Sequence, residues 1–206
     1  MLRHGLLIGL YICDINNLRN TAPFSSLSKR KAESVFSRAL LFKSLAAVFE
    51  LKTLPDIIFD ENGKPCFKEA CGIHFSLSHS GDFVAAAVSD VPCGVDIEKK
   101  KPRPERFIKK IMENESLDTG FYELWCLKEA YFKLMGTGEL LRPSGIFLKD
   151  EKICGPDGSS AGKVFSTVPG YALAVFSYSS KLPDEPVIIS SEELFDSALC
   201  VLDMRH

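Results

Sequence analysis

Leu124-Trp125-Cys126-Leu127-Lys128-Glu129-Ala130-Tyr131-Phe132-Lys133 is the stretch on which the reading of this chain turns. It sits within residues 121–135, where apolar positions recur at helical spacing until Gly136 stops them. On a helix Trp125, Glu129 and Lys133 are four apart and share one face, with Leu124, Lys128 and Phe132 in the neighbouring row. Glu129 then stands among aromatic and apolar groups, where a carboxylate is costly unless paired or bound to metal. The plainer alternative is a helix ion pair from Glu129 to Lys133, worth about 0.3 kcal/mol. Trp125 itself reads as a packing residue.

Upstream, residues 88–98 are apolar and β-rich, broken by Asp90 and Pro92-Cys93-Gly94. Val95-Asp96-Ile97-Glu98 reads as a short strand after a turn. Alternation puts Asp96 and Glu98 on one face and Val95 and Ile97 on the other. Two carboxylates that close repel, and a cation must offset the repulsion. Taken alone, the pair also fits a solvated, acidic strand end. Together with Glu129 it makes a set of three hard oxygen donors without Cys or His beside them. Such a set suits Mg²⁺ or Mn²⁺ rather than zinc. Mg²⁺ shares its shell with substrate phosphates, so the site implies a phosphate-containing substrate.

Two more pieces stand further upstream: Gly63-Lys64-Pro65, and Phe75-Ser76-Leu77-Ser78-His79-Ser80-Gly81. With Gly94-Val95-Asp96-Ile97-Glu98, Trp125-Cys126-Leu127-Lys128-Glu129 and Lys133, these motifs in this order resemble the 4'-phosphopantetheinyl transferase family, in its larger, surfactin-synthetase-activator type. The resemblance runs over about residues 27–176. It implies that coenzyme A is the substrate and that 4'-phosphopantetheine moves to a serine of an acyl or peptidyl carrier protein, releasing 3',5'-ADP. It implies that Asp96, Glu98 and Glu129 hold the metal. Lys29, Arg38, Ser78, His79 and Lys133 would hold coenzyme A phosphates, with Lys64 beside the adenosine end. Glu129, Lys133 and His79 are the catalytic residues it implies, Glu129 being the candidate base. The Arg38 match needs a shortened segment before Asp56, and the register around Lys29-Arg30-Lys31 stays open.

The rest of the chain reads as soluble α/β (α+β). It has 206 residues, 46% hydrophobic and 25% charged, with a net charge of −2, which gives no case for nucleic acid. Seven cysteines at 13, 66, 71, 93, 126, 154 and 200 form no CxxC pair, which points to a reducing cytoplasm without structural disulfides. The apolar run 5–13 is too short to span a membrane and reads as a first strand.

Helix is expected over 25–50, strand over 56–60, and a hairpin turn at Asn62-Gly63 that presents Lys64. Strands are expected over 74–78 and 83–88, a loop over 99–106, a short helix over 107–112, and a connection over 137–143. Strands over 145–148, 163–167 and 171–178 and a helix over 191–204 complete the chain.

A faint repeat runs through it: helix, a strand holding Phe-Ser, a turn, then Phe83-Val84-Ala85-Ala86-Ala87-Val88-Ser89 in one half and Tyr171-Ala172-Leu173-Ala174-Val175-Phe176-Ser177 in the other. It suggests two similar α/β halves, 1–90 and 91–206, packed as a pseudo-dimer with the active site between them. A site completed within one chain implies a monomer.

Lys99-Lys100-Lys101-Pro102-Arg103, with Lys109 and Lys110, is a candidate dock for an acidic carrier protein, and a solvated loop is the alternative. Two other readings compete with the transferase. One is a non-catalytic relative that binds coenzyme A or a carrier. The other is a different metal-dependent phosphotransferase, for which the chain has no P-loop or kinase signature.

Overall fold

Two antiparallel hairpins of similar make-up organise the computed structural model, which describes residues 8–69, 72–113, 117–136, 145–149, 152–179 and 181–203. In the first, β4 (His74–Ser80) turns into β5 (Phe83–Ser89), and the free edge of β5 pairs with β1 (Ile8–Asp14). In the second, β9 (Ala161–Phe165) turns into β10 (Tyr171–Ser177), and β10 pairs with β6 (Cys93–Lys99). The order β1-β5-β4 therefore recurs as β6-β10-β9. This is the repeat expected from the two alanine-rich strands. Cys71, the start of the apolar run at 5–7 and the connection 137–143 lie outside the described residues.

Strand alternation assigns each side chain its layer. Tyr11, Cys13, Val84, Ala86 and Val88 pack under α2 (Lys29–Phe49). Leu10, Ile12, Ala85 and Ala87 face the opposite way and meet Val95, Ile97, Leu173 and Val175 of the other sheet. Ala172, Ala174 and Phe176 pack under α4 (Phe121–Met135). The two sheets thus lie face to face with a long helix outside each. The small alanines let sheets and helices approach closely.

The helix limits have local causes. Ser28 caps α2, its Oγ accepting the Lys31 N–H at 3.4 Å. A 3-10 turn, Phe24–Ser26, precedes it, so the expected helix begins at Lys29 rather than 25. α4 has the expected limits, and Gly136 closes it in the left-handed region, φ 62°.

Short elements fill the connections: α1 (Asn16–Arg19), the hairpin β2 (Ile57–Phe59) and β3 (Pro65–Phe67), α3 (Glu105–Met112), and the pair β7 (Phe147–Lys149) and β8 (Lys152–Cys154) at the edge of the second sheet. The chain end then returns to the first sheet. β11 (Val187–Ile189) runs parallel to β1, and α5 (Ser191–Asp203) buries Leu194, Ala198 and Val201 in the core under α2. Ser190 and Glu193 form a reciprocal capping box on α5. No described helix is long and apolar enough to cross a membrane.

Candidate active site

β6 is the spine of the site. Its odd residues Val95 and Ile97 are buried between the sheets, so Asp96 and Glu98 point towards α4, as alternation requires. Gly94 makes the approach of α4 close: a Cβ there would run into the Ala130 carbonyl oxygen and the Leu134 amide nitrogen. This brings the helix, and Glu129 with it, against the acidic face of the strand.

Asp96 is buried. Its Oδ1 accepts two hydrogen bonds at 2.8 Å, one from Ser78 Oγ and one from Lys133 Nζ. Lys133 also donates to the Val95 carbonyl at 3.0 Å. The lysine therefore reaches across to β6, and among the described residues no ion pair joins it to Glu129. Asp96 Oδ2 is buried and has no hydrogen-bond partner among the described residues. Burial raises the Glu129 carboxyl above the ordinary glutamate range, the charge of Asp96 adds to this, Lys133 opposes it, and Glu98 adds a smaller push. These groups share one electrostatic environment.

The donor set fits a hard divalent cation. The orphaned Asp96 oxygen, Glu98 and Glu129 are the groups that could hold one. Among the described residues no three such side chains are already gathered into a cage. Mg²⁺ takes one or two carboxylates and completes its shell with water and substrate phosphate, so a half-open arrangement suits it.

A second constellation was not visible as such in the sequence. The Oγ atoms of Ser76, Ser78 and Ser80 accept the backbone N–H groups of Val95, Ile97 and Lys99 at 3.1, 3.3 and 3.1 Å. Serines two apart share a face of β4, and here they satisfy the edge of β6 that faces away from β10. Ser80 Oγ also donates to Glu98 Oε2 at 2.9 Å, as Ser78 does to Asp96. The signal was the Ser-x-Ser-x-Ser spacing itself.

The basic candidates fall into separate places. Lys29 and His79 converge on Glu33, a buried carboxylate of α2, with Lys29 Nζ at 3.8 Å and His79 Nδ1 at 3.6 Å. Arg19 joins them at 3.4 Å and donates to the Gly81 carbonyl at 2.8 Å. Glu33 and Arg19 are absent from the residues singled out in the sequence, and only the i,i+4 spacing of Lys29 and Glu33 hinted at the cluster. Arg38 stands half-buried nine residues beyond Lys29, about half a turn round α2 and ~13 Å along it.

Lys64, presented by the β2–β3 turn, donates to the Leu134 carbonyl at 3.0 Å, and burial lowers its pKa. It lines a cavity of about 190 Å³ with Lys133, Ser76, Phe75 and Phe132. That cavity lies between the β2–β3 hairpin, β4 and the end of α4. Trp125 packs on Phe107 of α3 at 5.3 Å between ring centroids. Its neighbour Lys128 donates to the Ile111 carbonyl at 3.0 Å and so fastens the end of α3.

Comparison with known proteins agrees with this arrangement. Residues 92–167 match the model of the 4'-phosphopantetheinyl transferase superfamily. The chain is 39% identical over 139 residues to the 4'-phosphopantetheinyl transferase psf-1 of Bacillus pumilus, covering 56% of this chain and 60% of that protein. It is 33% identical over 152 residues to the 4'-phosphopantetheinyl transferase Sfp of Bacillus subtilis, covering 65% of this chain and 68% of that one. The 4'-phosphopantetheinyl transferase AcpT of Escherichia coli is 33% identical over 133 residues, covering 58% of this chain and 64% of its own length. The segment matched by the family model contains β6 and α4, and on these matches the chain belongs to the 4'-phosphopantetheinyl transferase superfamily, in its larger, surfactin-synthetase-activator type.

Proposed function

We propose that this chain transfers the 4'-phosphopantetheine group of coenzyme A to a serine hydroxyl of an acyl or peptidyl carrier protein, releasing 3',5'-ADP. The observation that carries the reading is the Asp96 node. A buried carboxylate is held through one oxygen by Ser78 and Lys133, its other oxygen has no hydrogen-bond partner among the described residues, and its charge acts on Glu129.

Asp96, Glu98 and Glu129 are the residues to hold Mg²⁺ or Mn²⁺, which supplies positive charge against the pyrophosphate and the leaving phosphate. Lys133 and Lys64 both line one cavity. They bind the phosphates of coenzyme A there, with Ser78 at the Asp96 side. Lys29, His79 and Arg38 receive the remaining phosphate charge. Glu33 holds Lys29 and His79 in place without neutralising all the positive charge that Arg19 adds.

The serine oxygen forms a bond to the pantetheine-side phosphorus. The bond from that phosphorus to the bridging oxygen breaks, and 3',5'-ADP leaves with that oxygen. The serine proton passes to Glu129, whose basicity is raised by burial and by the charges of Asp96 and Glu98.

The carrier meets the exposed basic residues after β6. Lys100 is paired with Glu123, and Arg103 Nε bonds Tyr122 Oη at 3.2 Å, so those two brace the loop. Lys101, Arg106, Lys109 and Lys110 are exposed and face a partner. The six described cysteines are free thiols, which supports a reducing cytoplasm. Both sheets contribute groups to the site within one chain, which supports a monomer.

Intact mass spectrometry of an apo carrier protein incubated with this chain, coenzyme A and Mg²⁺ tests the proposal. The expected result is a gain of one phosphopantetheine, lost with Glu129→Gln and with chelator. No gain on fatty-acid, polyketide and nonribosomal-peptide carriers, beside measurable coenzyme A binding, would make this a binding protein instead.

A further inference from the structure

Each serine of β4 that faces β6 makes the same acceptor contact, but among the described residues two of the three also donate to a carboxylate. Ser76, Ser78 and Ser80 all accept a β6 backbone N–H. That N–H occupies the oxygen, and the single hydroxyl proton is left to be given elsewhere. In Ser80 it goes to Glu98 and in Ser78 to Asp96, whereas no carboxylate accepts from Ser76 among the described residues.

We propose that Ser80 is a positioning residue for Glu98. Its hydroxyl, oriented by the Lys99 N–H, fixes the carboxylate from the neighbouring strand and so sets the affinity of the site for a divalent cation. Ser78 does the same for Asp96, and Ser76 only joins the strands. This rests on the metal reading of the acidic face given above. The physical reason is pre-organisation. Glu98 sits near the end of β6 and is only half-buried, so its carboxylate has rotamers to lose unless a neighbour holds it. Partners that orient a ligating carboxylate are worth about 10–100-fold in metal affinity.

Ser80 is the cleaner residue to change because Ser78 is placed in the substrate site. The experiment measures Mn²⁺ binding to the full chain, without coenzyme A, from the loss of the free-ion electron paramagnetic resonance signal, with a thermal melt of each variant. Ser80→Ala is expected to raise the Mn²⁺ Kd about tenfold. Ser80→Thr, which keeps the hydroxyl, should restore it. Ser76→Ala should lower the melting temperature as Ser80→Ala does, through the same orphaned N–H, yet leave the Mn²⁺ Kd unchanged.

An unchanged Kd in Ser80→Ala, or equal weakening in Ser80→Ala and Ser76→Ala, overturns the proposal, the second because it reduces the serine to a strand tie. Asp96→Asn and Glu98→Gln run beside them. If both bind Mn²⁺ like the wild type, the metal reading fails and takes the proposal with it. If they lose Mn²⁺ while Ser80→Ala keeps it, only the positioning role fails.

Discussion

The two sheets are built alike and used differently. Aligned on their alanine-rich strands, Gly9 stands opposite Val88 as Gly94 stands opposite Phe176. Tyr11 is opposite Ala86 where Asp96 is opposite Ala174, and Cys13 is opposite Val84 where Glu98 is opposite Ala172. All six side chains or glycine positions look towards a long helix. In the first sheet Tyr11 and Cys13 are buried in an ordinary apolar core under α2. In the second, two carboxylates occupy the matching places under α4. The first sheet therefore forms without acids at these places, and the fold does not require the carboxylates of Asp96 and Glu98. The helix distance differs too. A Cβ on Gly9 meets side chains, the Tyr11 ring and methyls of Val48 and Val88, whereas on Gly94 it meets the backbone of α4.

The largest expected effect breaks this comparison at its glycines. Side chains can turn aside, but a helix backbone cannot move without its whole face. Gly94→Ala should lower the unfolding free energy by about 3 kcal/mol and abolish phosphopantetheine transfer, because α4 and Glu129 are pushed off β6. Gly9→Ala should cost about 1 kcal/mol and leave transfer measurable, as Tyr11 and Val48 readjust. Urea unfolding of both variants, with transfer assayed on the same samples, checks this. Equal losses in the two variants would mean that α4 lies no closer to its strand than α2 does.

A smaller effect sharpens the comparison through pH. Cys13 titrates at about 12, pushed up first by burial, and burial raises Tyr11 too, so these groups stay neutral across the physiological range. Glu129 does not. Its folded pKa is raised by burial first, then by Asp96. A raised carboxyl contributes stability that is fully present below the unfolded value and is lost as pH rises through the folded value. Above that window the metal-free protein carries a confined negative charge. Metal-free Glu129→Gln should therefore melt about 3 °C above the wild type at pH 8. The gap should close towards pH 4, where both states of the wild type are protonated. A variant that melts lower at pH 8 would show that Glu129 is stabilised by cations rather than strained by its neighbours.

Much of this was legible before the structure. The period-2 run at Val95-Asp96-Ile97-Glu98 and the period-3.6 run over 121–135 need only local geometry, and both elements lie where periodicity put them. The doubled hairpin was visible because alanine-rich strands are distinctive. What stayed hidden depends on pairs far apart in sequence. Nothing local says that Ser76, Ser78 and Ser80 satisfy β6, or that Glu33 gathers Arg19, Lys29 and His79 from three elements. The returning β11 and α5 are likewise long-range: a three-residue strand such as Val187–Ile189 carries too little pattern to reveal its partner. The Glu129–Lys133 ion pair failed for a related reason. Lys133 finds a buried carboxylate and a carbonyl on β6, which outbid an i,i+4 partner on its own helix.

The last contrast lies between strand and helix. In the first sheet the connection from β1 to α2 makes α1 and a 3-10 turn, and α1 rests against α5. In the second, the connection from β6 to α4 makes the basic loop and α3, which present charge outward. That segment is braced. Tyr122 Oη accepts the Lys101 N–H at 2.8 Å and donates to the Lys101 carbonyl, and Lys128 holds the end of α3. A braced positive surface steers an acidic partner at little entropic cost, and its effect is screened by salt. Lys109→Glu combined with Lys110→Glu should raise the carrier KM about fivefold at low salt, ~1 kcal/mol across the pair. The difference should shrink at high salt, while kcat and the coenzyme A KM hold. Both side chains are exposed, so folding is not at stake. An unchanged carrier KM at both salt concentrations would leave α3 a solvated helix, and the second sheet would then differ from the first only beneath α4.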